Sequence, residues 1–196
     1  MCVSGWARLA RGGVAARRAR ALSSLGASAS GGARVKTYEL RGHGAGGACS
    51  IVAGQHAVRT DLPRAMGGRD EAPQPVELLV SALIGCEQAT AAFVARQMKP
   101  RMALRGIAFE YTAARDDRGA TSLPLHVPPP ARAGLGRVWG TARVHLAEGG
   151  SETRERIEEL KRLVEERCPV ANTLASGGCE LSIEWVLAEP GAEFPG

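Results

Sequence analysis

The sequence predicts an α+β fold. Three observations carry this: short alternating segments broken by glycines over residues 35–59, a long, largely apolar stretch at 76–99 with no internal glycine or proline except Gly85, and a charged amphipathic stretch from Ser151 to Cys168 followed by a closing alternating segment.

Taken in order, VKTYEL, CSIVAG and QHAVRTD read as short strands separated by glycine turns, a small antiparallel meander. Gly42 to Gly47 has the spacing GxGxxG, but β-branched residues and another glycine follow it where a helix would be needed. It therefore reads as a hairpin turn and not as a dinucleotide site. Residues 60–75, TDLPRAMGGRDEAPQP, are loop-like and place Pro75 at the first position of a helix. That helix, about 24 residues over 76–99, is roughly 36 Å long. Leu79, Leu83, Cys86, Thr90 and Phe93 share one face, while Val80, Ile84, Ala91 and Val94 make the opposite side apolar too. A helix apolar nearly all round must be buried on all sides. One small domain does not supply that wrapping, so a dimer around this helix is expected.

Pro100 stops the helix, and ALRGIAFEYTAAR, residues 103–115, alternates as a strand does. Residues 116–135 are rich in proline and turn formers and read as a surface insertion. GRVWGTARVHLAE, residues 136–148, resumes as a strand. Ser151 then caps an amphipathic helix with Ile157, Leu160, Leu163 and Val164 as its apolar stripe, and Pro169 ends it directly after Cys168. After Gly177 and Gly178 a last strand runs CELSIEWVLAE.

A length of 196 residues with 44% hydrophobic composition suits one compact domain, placed at 34–190 with a short tail at 191–196. The net charge of +5 is concentrated at the N-terminus, where Arg8, Arg11, Arg17, Arg18 and Arg20 precede any acid. Without those five, 20 of the 25 basic residues stand against 20 acidic ones, so the body is neutral and no nucleic-acid partner is expected. Residues 1–33, Arg-rich, Ser-containing and acid-free, have the composition of a mitochondrial or plastid transit peptide; an untargeted disordered tail is the alternative. No run is read as approaching the roughly 20 apolar residues of a membrane span, and no membrane partner is expected.

Five cysteines, Cys2, Cys49, Cys86, Cys168 and Cys179, are too few and too odd in number for a disulfide-stapled scaffold; a reducing compartment with one or two functional thiols fits better. Cys86, amid apolar residues with Glu87 and Gln88 beside it, fits either a packed core thiol or a nucleophile. The second role needs the thiolate, and hence an arginine brought from elsewhere. Cys168, at a helix end where the dipole disfavours a thiolate, suits a resolving or a structural thiol. Cys49 and Cys179, in predicted strands, read as packing residues. His43, His56, His126 and His145 are scattered and form no metal-ligand spacing with the cysteines. No phosphate loop or nucleophile elbow is present, and no cofactor is expected.

Two segments weigh together. APQPVELLVSALIGCEQAT and CPVANTLASGGCELSIEW resemble the first and second cysteine segments of the OsmC/Ohr family, and TDLPRAMGGRDEAPQP resembles that family's approach to its cysteine helix. The resemblance covers about residues 36–188 and implies an intertwined homodimer with the cysteine helices buried at its centre. It further implies a thiol-dependent hydroperoxide reductase acting in oxidative-stress defence. Cys86 would attack the peroxide, Cys168 would close a disulfide with it, and an external dithiol, lipoyl or thioredoxin-like, would restore both.

The chain departs from the organic-hydroperoxide branch at one place. There a carboxylate one position after the leading proline partners an activating arginine. Here that position is Val76, and Glu77 stands about 100° further round the helix. Arg41 and Arg64 are the candidate activating arginines. The departure points to a general OsmC-like protein and keeps two alternatives open: a non-catalytic dimeric binding or scaffold protein with inert thiols, and a carrier using an apolar pocket beside the helix.

Overall fold

A computed structural model describes residues 34–189 and 191–194. The expected presequence over 1–33, with Cys2, lies outside the described residues, as does the end of the C-terminal tail. The first sheet is the expected meander, β1 (Leu40–Ala45), β2 (Ala48–Ala53) and β3 (His56–Thr60), in that order. Gly46 and Gly54, with φ of 59° and 63°, turn the chain between the strands, a left-handed conformation that glycine adopts without steric penalty. The GxGxxG spacing thus belongs to a hairpin. Every residue of β1 is exposed, and so is β3 up to Thr60, which leaves this sheet largely uncovered in a single chain.

The loop after β3 is organised by one carboxylate. Asp61 is 2% exposed; its Oδ1 accepts from the Leu62 N–H at 2.8 Å and its Oδ2 from the N–H groups of Arg69 and Glu71 at 3.1 and 3.2 Å. Its own N–H donates to the Pro73 carbonyl at 3.2 Å. These bonds hold its carboxyl below the usual carboxylate range, the Glu71 N–H first among them. They also fix where the following helix begins.

That helix, α1, spans Pro75–Gln97. Pro75 occupies its first turn, and the Glu77 carboxylate accepts from the Gln74 N–H at 2.8 Å, a capping arrangement. Its buried side is Leu83, Glu87, Ala91, Val94 and Ala95, whereas Leu79 and Phe93 are 41% and 51% exposed. The helix expected to be buried all round is therefore covered on one side only within one chain. It also has the length and composition of a membrane span, with mean hydropathy 1.6 over its most apolar window. This corrects the sequence expectation that no run approaches the length of a membrane span; here the helix lies against the second sheet.

That sheet has the order β4 (Leu104–Arg115), β5 (Leu135–Leu146), β6 (Glu180–Leu187), with β4–β5 antiparallel and β5–β6 parallel. Between β4 and β5 runs the proline-rich insertion, exposed for most of its length, with a four-residue helix α2 (Arg118–Thr121). A parallel pair needs a crossover. Two helices form it, α3 (Arg154–Glu165) and α4 (Pro169–Ser176). Helix α1 packs against α3, α4 and β4, and both α3 and α4 pack on β6. The core between layers is filled by Leu83 and Val94 from α1, Ile157, Leu160 and Val164 from α3, and the alternating Val138, Ala142 and Val144 of β5.

Two boundaries differ from expectation. Helix α3 is capped at Thr153, not Ser151. Pro169 does not end a helix: it is the first residue of α4, with Cys168 as N-cap, because proline's missing N–H and fixed φ suit a first helical position as well as they stop a preceding one. One glycine positions β4 closely. Gly140, paired with Tyr111 across the β4–β5 ladder, has φ 146°, and a Cβ there would lie 1.9 Å from the Glu110 carbonyl oxygen.

Candidate active site

Both sequence-predicted cysteines sit at the same place in the core. Cys86 lies in the middle of α1 and is partly exposed; Cys168 lies at the α3–α4 junction and is 0% exposed. Cys86 is a near neighbour of Cys168, close enough to act on its thiol, and both are free. Cys168 is held by the start of α4: its Sγ accepts from the Ala171 N–H at 3.5 Å. Asn172 reinforces the junction, its side-chain amide donating to the carbonyls of Glu165 and Cys168 at 2.8 and 2.9 Å.

The placement at a helix N-terminus reverses the expected dipole effect on Cys168, since that end favours an anion. Burial prevails over it. Desolvation pushes the Cys168 thiol up to about 11, the Ala171 N–H opposes this, and the neighbouring Cys86 raises it further. At neutral pH Cys168 is a thiol.

Sequence reasoning passed over the residue next to Cys86. Glu87 is 3% exposed, and the Tyr111 hydroxyl donates to its Oε2 at 2.5 Å. Desolvation raises its carboxyl to about 7, the Tyr111 hydrogen bond works in the opposite sense, and the Glu165 carboxylate adds to the rise. Tyr111 is pushed well above the ordinary tyrosine range by burial, then by Glu87, Cys168 and Glu165. The signal was present in the spacing Leu83, Glu87, Ala91, Val94, which places Glu87 within the buried stripe. Gln88 ties the same stretch to β4, its Oε1 accepting from the Ile107 N–H at 3.1 Å.

Around the N-terminal half of α1 lies a cavity of about 470 Å³. Val76, Val80 and Ile84 line it from the helix, and Tyr111, Leu135 and Arg115 line it from the sheet. Glu77, the displaced carboxylate, is exposed and bonded to the Gln74 backbone, so it does not substitute for a carboxylate at Val76 within this chain. Arg115 in the cavity wall pairs with Asp117 at 2.7 Å. Arg41 and Arg64, the candidate activating residues, are exposed on β1 and on a short turn at Arg64–Met66, and neither is among the main charged influences on Cys168, Glu87 or Tyr111. Cys49 pairs with Thr60 in the meander, and Cys179 is buried before β6. Among the described residues, no three His, Cys, Asp or Glu side chains gather as a metal site.

The family described as OsmC-like protein matches residues 68–184, which span both cysteines, α1 and most of the second sheet. The chain belongs to the OsmC-like family. Solved structures agree in fold. An OsmC-like protein from Mycoplasma pneumoniae is 20% identical, with a TM-score of 0.61 over 79% of this chain and 99% of its own. An organic hydroperoxide resistance protein from Elizabethkingia anophelis is 16% identical, with a TM-score of 0.58 over 79% and 98%. One from Legionella pneumophila is 17% identical, with a TM-score of 0.54 over 79% and 99%. Among curated proteins there is no significant match. The α+β element order expected for an OsmC-like protein is the one observed.

Proposed function

We propose that this OsmC-like chain is a thiol-dependent hydroperoxide reductase with Cys86 as the attacking and Cys168 as the resolving residue. The observation that carries the reading is the meeting of the two thiols, one reachable and one sealed. A peroxide approaching from the partly exposed side meets Cys86 first, while Cys168 is protonated and 0% exposed behind it. The Cys86 thiolate attacks the outer peroxide oxygen, the O–O bond breaks, and an alcohol leaves after protonation. The resulting sulfenic acid condenses with the Cys168 thiol to a disulfide and water, and an external dithiol, lipoyl or thioredoxin-like, reduces it by exchange. The cavity of Val76, Val80 and Ile84 suits the apolar part of an organic hydroperoxide. Related structures named as organic hydroperoxide resistance proteins favour the same class.

The working form in this reading is a homodimer. The outward face of α1, with Leu79 and Phe93, and the uncovered meander are the surfaces a second copy would bury. The cation that Cys86 needs then comes from Arg41, Arg64 or the second copy. Residues 1–33 would direct the chain to a mitochondrion or plastid.

A second reading, an inert dimeric binding or scaffold protein, is favoured by Val76 and by the capping role of Glu77. Thiol labelling separates the two. A reductase labels Cys86 at neutral pH without denaturant and loses peroxide consumption in the Cys86→Ser variant. A scaffold labels only as it unfolds.

A further inference from the structure

The resolving step needs a proton carrier, because the Cys168 thiol must lose its proton to attack, and the oxygen leaving Cys86 must gain one. Both events take place where Cys168 is fully buried. A thiol sealed from solvent loses its proton readily only to a group placed to take it.

Glu87 is placed for this. It follows Cys86 on α1, is 3% exposed, and is held from β4 by the Tyr111 hydroxyl. A buried carboxyl whose one strong partner is a neutral hydroxyl is not an ion-pair member; no arginine or lysine pairs with it among the described residues. Tyr111 from β4 and Glu165 at the end of α3 act on it directly, and Tyr111 in turn feels Cys168 at the start of α4, the neighbour of Cys86. Glu165 is drawn outward by Lys161, with 3.5 Å between them. Glu87 is therefore the one carboxyl facing this cluster that is itself buried.

We infer that Glu87, held by Tyr111, carries the proton of the resolving step: its carboxylate takes the Cys168 thiol proton as the sulfur attacks Cys86, and its carboxylic acid returns that proton to the departing oxygen. The inference rests on the two-thiol reading and adds a third residue to it. Atoms balance without a further reagent. Cys86–SOH and Cys168–SH become a disulfide and one water, and Glu87 ends as it began. A carboxyl raised to about 7 by burial is in both forms near neutrality, as an acid–base group of this kind requires. Tyr111 sets where the change falls, since its hydrogen bond favours the carboxylate.

The test follows disulfide closure by rapid mixing from pH 5.5 to 9, with tert-butyl hydroperoxide as oxidant and, separately, with diamide, which also leaves Cys86 carrying a group for Cys168 to displace but involves no peroxide chemistry. In the wild type, closure should accelerate through an inflection near pH 7. Glu87→Gln should slow closure by about a hundredfold at pH 7.5 and remove the inflection, while sulfenic acid still forms on Cys86 at the wild-type rate. Tyr111→Phe, which keeps Glu87 and serves if the first variant fails to fold, should move the inflection to higher pH.

Closure in Glu87→Gln within threefold of wild type, or with the inflection intact, overturns the role of Glu87. An unmoved inflection in Tyr111→Phe does the same. If the wild type ignores the hydroperoxide yet closes with diamide in the Glu87-dependent way, the peroxide reading fails and the proton carrier stands. A wild type that closes with neither oxidant overturns both.

Discussion

The Tyr111 hydroxyl, on β4, donates a 2.5 Å hydrogen bond to the carboxyl of Glu87, buried on α1. This joins helix to sheet one residue from Cys86, and it makes the stability of the fold sensitive to pH. The Glu87 carboxyl rises from 4.5 to about 7 on folding, chiefly through burial. Between those values the unfolded chain has released the proton and the folded chain retains it, so stability falls as pH rises through that window and levels off above it. The effect is about 3 kcal/mol. Denaturant midpoints of wild type and Glu87→Gln from pH 4.5 to 8 should therefore diverge, the variant gaining on the wild type with pH. Parallel curves would contradict the burial of an ionisable Glu87.

Gly140 governs the same contact from behind. A Cβ there would meet the Glu110 carbonyl oxygen at 1.9 Å, beside Tyr111, whereas one at Gly136 on the same strand meets only the Ala114 oxygen at 3.7 Å. Gly140→Ala should cost about 2–4 kcal/mol, combining strain at a positive φ with displacement of β4. Gly136→Ala should stay within about 0.5 kcal/mol of wild type. Thermal unfolding of the pair checks this.

Asp61 ties the loop before α1 to its own side chain. Its folded-state ionisation is favoured, so this contribution is present above the unfolded value of 3.8 and is lost as pH falls through the lower folded value. In Asp61→Ala the amides of Leu62, Arg69 and Glu71 lose their acceptor. Their hydrogen exchange should quicken by about an order of magnitude, while that of Leu160 in the core stays near wild type.

In the proposed homodimer the outer face of α1 would be the seam. Phe93 is 51% exposed in one chain, and a charge there would be buried without a partner in a dimer. Sedimentation of Phe93→Asp should give a monomer where the wild type gives a dimer. A wild-type monomer would remove the homodimer from the proposal.

Much of this was legible in the residues, for reasons that differ by element. The meander announced itself through glycines that the turns require, β4 to β6 through alternation, and α3 through a stripe at helical spacing. The junction at Cys168 was not legible in the same way. Proline after a helical stretch can stop that helix or start another, and the sequence alone read only the stop, whereas Pro169 starts α4. Glu87 was passed over because a helix apolar nearly all round does not say which of its stripes its own chain covers; packing against β4 and α3 marks the stripe of Leu83, Glu87 and Ala91 as the inner one. The one-sidedness of α1 was hidden because an all-round apolar helix looks the same whether its second face is covered by its own chain or by another copy.

The pairing of Cys86 with Cys168 is tested most directly by intact-mass measurement after one equivalent of an organic hydroperoxide is added to the reduced protein. The two-thiol mechanism requires a loss of two hydrogens, with a peptide map that joins Cys86 to Cys168 and no such loss in either Cys→Ser variant. An unchanged mass, or a bridge that joins Cys49 or Cys179 instead, would contradict it.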